Sequence, residues 1–318
     1  MRQLTILSGA GINMGIAGVV PQAYDLPRLT YREVSHAVYN LLAPQVRAMF
    51  QPESFDHILG GLMTVNLAIE MAKQDMRRFN VNEQAFAELF MQTQLQHSVG
   101  NALTQIEHQL RISWEQMMDA IDAFDPAIEA LMAKYDSINY VTLNLDAIFD
   151  HILLGRNYKR GAHVTDFWAR NGGLNRVVNR KIKIFHLHGD LRCKPTKKTD
   201  MHNPPYAWPV LVVGDQRAKA SMIGASEYLQ FFNGSFEYLV GNRDPYLQND
   251  LAVIGFGFRE EDVHVVNPLV RGIHSGVFNS ISNYDVENHL TPRCAVQHSF
   301  SDARQFSLID YLQFLAVK

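Results

Sequence analysis

Apolar runs that end in glycine or in small polar residues recur along the chain. The first is Leu4 to Ser8, which leads into Gly9-Ala10-Gly11. The second ends in Thr142-Leu143-Asn144-Leu145-Asp146, after which apolar residues recur at helical spacing. A short apolar run that stops at a turn is typical of a strand buried on both faces. The pattern therefore predicts strands that carry polar groups at their C-terminal ends.

Two later segments repeat this pattern. Residues 181–190 alternate polar and apolar side chains, which predicts a strand whose tip carries His188. Leu251 to Phe258 predicts a further buried strand that opens into a turn containing Gly255 and Gly257. Residues 295–312 predict a closing strand and helix. Together these segments favour an α/β fold, in which ligands bind at the C-terminal ends of the strands.

Helical periodicity dominates the chain between the first two predicted strands. Thr30-Tyr31-Arg32-Glu33 has the spacing of a capping box, and an apolar stripe includes Trp114 and Ile121. Asp125-Pro126 predicts the start of a last helix before the second strand.

This helical stretch is much longer than a crossover between neighbouring parallel strands requires. Residues 31–135 are therefore predicted to form a helical insertion subdomain. The predicted core is a Rossmann-like, mostly parallel sheet formed by residues 1–30 and 136–318.

The composition is that of a folded globular protein. Hydrophobic residues make up 47% and charged residues 19% of the 318 residues, so long disordered tracts are not expected. Cys193 and Cys294 are the two cysteines, and without a Cys-x-x-Cys pair they exclude a disulfide framework and a four-cysteine zinc site. The N-terminal apolar run is too short for a signal peptide, and no run approaches the roughly 18 apolar residues of a membrane span. A cytoplasmic location is therefore predicted.

Positive charge is concentrated in one segment of an otherwise acidic chain. Residues 156–198 contain twelve Lys or Arg against Asp166 and Asp190, a local charge of +10, and the whole chain has a net charge of −3, which leaves −13 elsewhere. Such a segment suits a polyanion, which includes NAD phosphates, a nucleic acid or an acidic protein face, and it also suits a solvated basic surface.

Each motif has a structural interpretation beside the chemical one. Gly9 and Gly11 fit the first two positions of Gly-x-Gly-x-x-Gly, but Met14 holds the third, so a phosphate-binding turn and a simple tight turn both fit. Asp146 is either a ligand contact or the cap of the following helix. His188 is either a hydrogen-bonded strand end or a general base.

The ordered set of Gly-Ala-Gly, Thr-Leu-Asn-Leu-Asp, Leu-His-Gly and Ile-Gly-Phe-Gly-Phe resembles the sirtuin-like superfamily of NAD-consuming domains. The motifs anchor residues 4–15, 138–150, 184–190 and 251–262. The resemblance implies that NAD+ is the substrate. It implies that His188 is the catalytic histidine, that Asn144 lies near the nicotinamide ribose and that Asp146 accepts from the nicotinamide carboxamide. The further NAD-binding positions that it implies are Gly9, Ala10, Gly11, Asn13, Thr142, Gly189, Gly255 and Gly257.

Departures from the family pattern indicate the subtype. Deacylating sirtuins usually carry a zinc ribbon of two Cys-x-x-Cys pairs, which this chain cannot form, and Asn13 stands where a serine is common. The chain is similar to the zinc-free proteins of bacterial anti-phage defence, which hydrolyse NAD+ to nicotinamide and ADP-ribose. That similarity implies no metal, a homo-oligomer, and a partner such as a HerA-like ATPase or an Argonaute-type protein, with no membrane contact.

Two alternatives stay open. An NAD-dependent protein deacylase or ADP-ribosyltransferase would use the same bond cleavage with another acceptor. A non-catalytic sensor subunit would bind NAD or ADP-ribose without turnover.

Overall fold

The computed structural model describes residues 1–20, 31–48, 50–51, 55, 59–60, 101–102, 105, 114–161, 164–166, 181–189, 212, 216–225, 227–284, 298–300 and 306–318. The strands are β1 (Arg2–Ser8), β2 (Ser137–Thr142), β3 (Val164–Asp166), β4 (Ile182–His186), β5 (Gln248–Ile254), β6 (Ser280–Tyr284) and β7 (His298–Phe300). The α-helices are α1 (Ile12–Val19), α2 (Tyr31–Leu41), α3 (Pro44–Arg47), α4 (Trp114–Lys134), α5 (Ile148–Leu154), α6 (Gln216–Ala225), α7 (Glu227–Gly241), α8 (Val263–His274) and α9 (Leu308–Val317).

All described strands form one parallel sheet in the order β3-β4-β2-β1-β5-β6-β7. This confirms the predicted α/β class with a Rossmann-like parallel sheet. Between β1 and β2 the described residues form helices, in agreement with the predicted helical insertion. Other helices that the sequence predicts between residues 58 and 110 lie mostly outside the described residues.

The five longer strands end level with one another. The last residues of β4, β2, β1, β5 and β6 are register partners across the sheet, namely His186, Thr142, Ser8, Ile254 and Tyr284. Because all strands are parallel, this row is the C-terminal edge of the sheet. It is the edge at which the sequence predicts ligand binding.

One face of the sheet is covered by α1, α4, α5 and α9. Side chains of these helices pack against the apolar positions of the strands, and residues such as Phe124 and Phe149 are almost completely buried. Burial of each large apolar side chain contributes about 1.5–3 kcal/mol. The helix α9 begins with the capping box of Ser307 and Asp310, as the predicted closing helix requires.

The prediction that a new helix starts at Asp125-Pro126 is wrong, because α4 runs through Pro126 without interruption. Proline removes one helical hydrogen bond. The residues around it, Ile121, Phe124 and Ile128, are buried against the sheet. The packing of that apolar face outweighs the lost hydrogen bond.

The chain divides into two compact units. The first comprises Met1–Arg28, Ile112–Leu187 and Phe231–Lys318 and contains the sheet, and the second comprises Leu29–Arg111 and His188–Gln230. Thus α4, which the sequence pattern groups with residues 31–135, packs with the sheet, on which its apolar stripe is buried.

Candidate functional site

The order in which the chain adds strands to the sheet reverses between β1 and β5. From β1 the chain first extends the sheet through β2 and β4 on one side, and it then returns to place β5 and β6 on the other side. Such a topological switch point leaves a crevice outside the C-terminal ends of the two strands. The turn that follows β1 contains Gly9 and Gly11, and the turn that follows β5 contains Gly255.

These two glycine turns pack backbone against backbone. The Gly9 N–H donates to Ile254 O at 3.0 Å, and the Gly11 N–H donates to Gly255 O at 3.1 Å. Gly255 has a φ of 57°, and a Cβ at this position would lie 2.4 Å from Gly11 Cα. The three glycines are therefore explained by close packing of the turns.

This packing limits how the glycine turn can bind phosphate. The amides of Gly9 and Gly11 already donate to carbonyl groups, whereas the Ala10 N–H has no acceptor among the described residues. The Ala10 N–H is therefore the donor that this turn retains, because the Ile12, Asn13 and Met14 amides in the first turn of α1 donate to backbone carbonyl groups. Gly257 differs from its neighbours, because the nearest atom to a Cβ placed there is 3.9 Å away.

A buried hydroxyl network lies at the C-terminal ends of β1 and β2. The Ser8 hydroxyl is 2.9 Å from both Tyr140 Oη and Thr142 Oγ1, and all three side chains are buried. Burial is the largest of the effects that raise the pKa of Tyr140, so the phenol stays protonated. Thr142 Oγ1 also accepts from the Asn144 N–H at 3.0 Å. Thr142 therefore links the strand ends to the loop that carries Asn144.

Asn144 is held by its main chain from two sides. Its N–H donates to Thr142, and its carbonyl lies 3.1 Å from Nδ1 of His186. The residue is 7% exposed, yet its side-chain amide makes no hydrogen bond to any group in the described part of the chain. A nearly buried polar side chain that has no internal partner and stands on a fixed main chain is suited to a ligand.

Asp146 bridges the second strand end to the first helix. Its Oδ2 accepts from Nδ2 of Asn13 at 2.9 Å, and its Oδ1 accepts from the Ile148 N–H at 3.0 Å. Asp146 thus accepts from the first N–H of α5, as the capping interpretation predicts, and also contacts Asn13. Each carboxylate oxygen keeps one lone-pair direction for a ligand. Desolvation by the surrounding protein raises the pKa of Asp146, whereas the two hydrogen bonds lower it.

The raised pKa of Asp146 predicts a pH-dependent stability difference. The folded protein binds this proton more tightly than the unfolded chain does, so the stability contribution is complete below the unfolded pKa of about 3.9 and is lost as the pH rises through the folded pKa. In urea unfolding, the free energy of unfolding of the wild type relative to Asp146→Asn should therefore decrease as the pH rises above about 4. A difference that stays constant or increases with pH would contradict the assignment.

A buried His–Asp pair lies directly beneath the Asn144 loop, and sequence reasoning missed it. Nε2 of His186 is 2.8 Å from Oδ2 of Asp150, and both side chains are 1% exposed. His186 is the last residue of β4, and Asp150 lies in the first turn of α5. The alternation of residues 181–186 places His186 on the same face of the sheet as Ile182 and Ile184. This pattern could have indicated from the sequence that the His186 side chain is buried. The pairing with Asp150 depends on the packing of α5 on the sheet.

The prediction that His188 lies at the strand tip is wrong by two residues, because β4 ends at His186. His188 lies in the turn that follows, where Gly189 has a φ of 72°. The His188 side chain is fully buried, its carbonyl accepts from the Val212 N–H at 2.8 Å, and the residue belongs to the second compact unit. Its catalytic role stays a prediction, as do the NAD contacts of Gly189 and Gly257.

Asn283 is another polar residue near the C-terminal edge that the sequence analysis did not select. It precedes the last residue of β6, is 1% exposed, and its side-chain amide has no hydrogen-bond partner in the described part of the chain. A buried unpartnered amide one strand beyond the switch point is a candidate contact for a polar ligand.

Part of the basic segment is neutralised within the fold. Arg156 pairs with Asp122, and Lys159 and Arg160 both pair with Asp125 and Glu129 of α4. Desolvation opposes the ionisation of Asp125, but hydrogen bonds and charge from these two cations outweigh it and lower the pKa of Asp125. These three of the twelve basic residues in 156–198 are therefore paired with acidic residues of α4. They are less available to bind a polyanion.

Arg160 is expected to be important for stability. Its guanidinium is almost fully buried and also donates to Leu153 O at 2.8 Å and Ile152 O at 2.9 Å, at the C-terminal end of α5. Arg160→Ala should lower the free energy of unfolding by about 2–4 kcal/mol, because it leaves two carbonyls and a partly buried carboxylate without their partner. Arg156→Ala, which removes an exposed pair, is the control and should leave the urea midpoint almost unchanged. Equal effects of the two substitutions would contradict this assignment.

The described residues contain neither a metal-binding cluster nor a membrane-spanning helix. No group of three or more His, Cys, Asp or Glu side chains there is arranged to hold a metal ion. Among the same residues, no helix has the length and apolar character needed to span a membrane. The zinc-free chemistry and the cytoplasmic location remain predictions.

Comparison with models of known protein families and with curated proteins finds no match to this chain.

Proposed function

We propose that this chain is an NAD+ glycohydrolase that cleaves NAD+ to nicotinamide and ADP-ribose. The observation that carries the proposal is the side chain of Asn144. It is held at the C-terminal edge of the sheet by two main-chain hydrogen bonds, and its amide has no partner among the described residues. Neighbouring Asp146 is anchored by Asn13 and can accept one further hydrogen bond at each oxygen.

The reaction breaks the bond between C1′ of the nicotinamide ribose and N1 of nicotinamide. The bonding electrons leave with nicotinamide, which becomes neutral, and positive charge builds on the ribose. The oxygen of a water molecule then bonds to C1′, and its proton passes to a base. In the proposal, the Asn144 amide orients the ribose hydroxyls or the water, and the Asp146 carboxylate accepts from the leaving carboxamide. His188 keeps the proton-accepting role that the sirtuin-like resemblance implies.

Electrostatics support this division of roles. An ionised carboxylate near C1′ stabilises the positive charge that develops on the ribose. The crevice at the switch point between β1 and β5 is where a dinucleotide binds in folds of this kind. Assembly with further copies or with an ATPase or Argonaute-type partner, and a role in anti-phage defence, are part of this proposal.

Product analysis tests the proposal. Purified chain, alone and with candidate partners and nucleic acid, is incubated with NAD+ and the products are separated by chromatography. Equal amounts of nicotinamide and free ADP-ribose are expected, and the double variant Asn144→Ala/His188→Ala should produce neither. O-acyl-ADP-ribose or ADP-ribosylated protein would favour transfer to another acceptor. NAD+ binding without turnover in every mixture would favour the sensor.

A further inference from the structure

The structure assigns His186 and Asp150 as a positioning pair that sets the main chain of Asn144, and through it the side chain that faces the substrate. This inference rests on the proposed function for its catalytic consequence, whereas its structural part can be tested without NAD+. The pair contacts no substrate in this assignment. It acts through the carbonyl group of Asn144.

The hydrogen-bond geometry defines which ring nitrogen carries a proton. Nδ1 of His186 lies 3.1 Å from Asn144 O, and a carbonyl oxygen can only accept, so Nδ1 must carry a hydrogen. Nε2 lies 2.8 Å from Asp150 Oδ2, a distance that requires one proton between the two atoms. That proton belongs either to an imidazolium beside a carboxylate or to a carboxylic acid beside a neutral ring. In both cases Nδ1 remains a donor to Asn144.

Burial makes this arrangement rigid. Both side chains are 1% exposed, so water cannot replace either partner. His186 is further fixed by its place in the strand, where it is the register partner of Thr142. Thr142 Oγ1 in turn accepts from the Asn144 N–H. The N–H and the carbonyl group of Asn144 are therefore hydrogen-bonded to Thr142 and His186, which are neighbours at the C-terminal edge of the sheet.

The consequence for catalysis is geometric. If the carbonyl of Asn144 loses its donor, the peptide unit between Asn144 and Leu145 can rotate, and the side-chain amide moves with it. A displacement of about 1 Å in a positioning group can reduce turnover about 100-fold. Stability need not follow, because replacing both members of a buried pair by apolar residues is often neutral or stabilising.

Three variants separate positioning from simple packing. His186→Phe/Asp150→Leu replaces the pair by apolar side chains and should fold, but its kcat for NAD+ should be about 100-fold lower, as for a misplaced group. Asp150→Asn preserves both hydrogen bonds, because the introduced amide can donate to Nε2 while Nδ1–H still donates to Asn144, and its kcat should stay within about threefold of wild type. Asp150→Ala should resemble the double variant in kcat.

A spectroscopic measurement follows the Asn144 carbonyl directly. Labelling with 13C-carbonyl asparagine and 15N-leucine selects the three Asn–Leu peptide bonds of the chain, which follow Asn40, Asn66 and Asn144. The Asn144 carbonyl resonance should move in His186→Phe/Asp150→Leu, whereas in Asp150→Asn it should stay near its wild-type position. The Asn40 and Asn66 signals should not move in either variant.

The kinetic and spectroscopic results together distinguish failure of the positioning role from failure of the proposed NAD+ glycohydrolase activity. A double variant with wild-type kcat and an unmoved Asn144 carbonyl resonance overturns the positioning role. Loss of activity in Asp150→Asn with an unmoved carbonyl resonance also overturns it, because the charge of Asp150 would then be what matters. If wild type itself never consumes NAD+ but the carbonyl resonance moves as expected, the proposed function fails and the positioning pair stands.

Discussion

Replacing Asn144 by alanine is expected to reduce nicotinamide release from NAD+ by about 100-fold or more, with little change in the fold. The substitution removes the amide that has no partner among the described residues. It leaves the two main-chain hydrogen bonds to Thr142 and His186 in place. The loss should therefore appear in kcat, with a smaller change in KM, because most of the dinucleotide binds elsewhere.

The measurement is chromatographic quantification of nicotinamide, beside thermal unfolding of the same samples. Asn242→Ala is the matched control, because Asn242 is an exposed asparagine just after α7 and the same atoms are removed. His188→Ala is expected to give a loss similar to that of Asn144→Ala. An Asn144→Ala protein with wild-type turnover would remove the observation on which the proposed function rests.

Replacing Gly255 by alanine is expected to destabilise the switch point strongly. The added Cβ would lie 2.4 Å from Gly11 Cα and 2.6 Å from Ile12 N, and the φ of 57° disfavours any residue with a Cβ. The left-handed conformation costs about 1–2 kcal/mol and forced overpacking about 1–3 kcal/mol, so the free energy of unfolding should fall by about 2–5 kcal/mol. The turns after β1 and β5 would have to separate, so any NAD+ binding at this edge should weaken as well.

Gly257→Ala is the control for this substitution. It lies two residues away in the same turn, its φ is not positive, and the nearest atom to an added Cβ is 3.9 Å distant. Its urea midpoint should stay within experimental error of the wild type. If Gly255→Ala is as stable as Gly257→Ala, the close packing of the two turns is not maintained in solution.

Comparison of these two glycines shows where sequence reasoning ends. Both were predicted as NAD-binding positions on the same motif. Only the three-dimensional structure separates them. A Cβ at Gly255 would clash with a turn that is more than 240 residues away in sequence, whereas a Cβ at Gly257 would have its nearest neighbour, Arg259 Cγ, at 3.9 Å. A glycine in a sequence does not reveal whether the missing Cβ serves a ligand, a neighbouring turn or the local conformation.

The strand and helix pattern was readable from the sequence for a physical reason. Buried strands are short apolar runs, and the polar residues at their ends cannot enter the core. The pattern therefore predicts both a strand and its end at Leu4 to Ser8 and at Leu251 to Ile254. The same logic located Thr142, Asn144 and Asp146 at the C-terminal edge. It was less accurate for β4, where the alternation continues to His188 although the strand ends at His186.

By itself, the sequence determined the α/β class, the presence of helices among the described residues between the first two strands, and the polar groups at the strand ends, because these depend on local periodicity. Only the tertiary structure decided which groups meet. It joined Gly9 and Gly11 to Gly255, Asn13 to Asp146, and His186 to Asp150. It also paired Arg160 with the acidic face of α4, so that a cation counted as surface charge is a buried structural group. These contacts depend on parallel strand order and on helix packing, which bring distant segments together. No local pattern in the sequence indicates them.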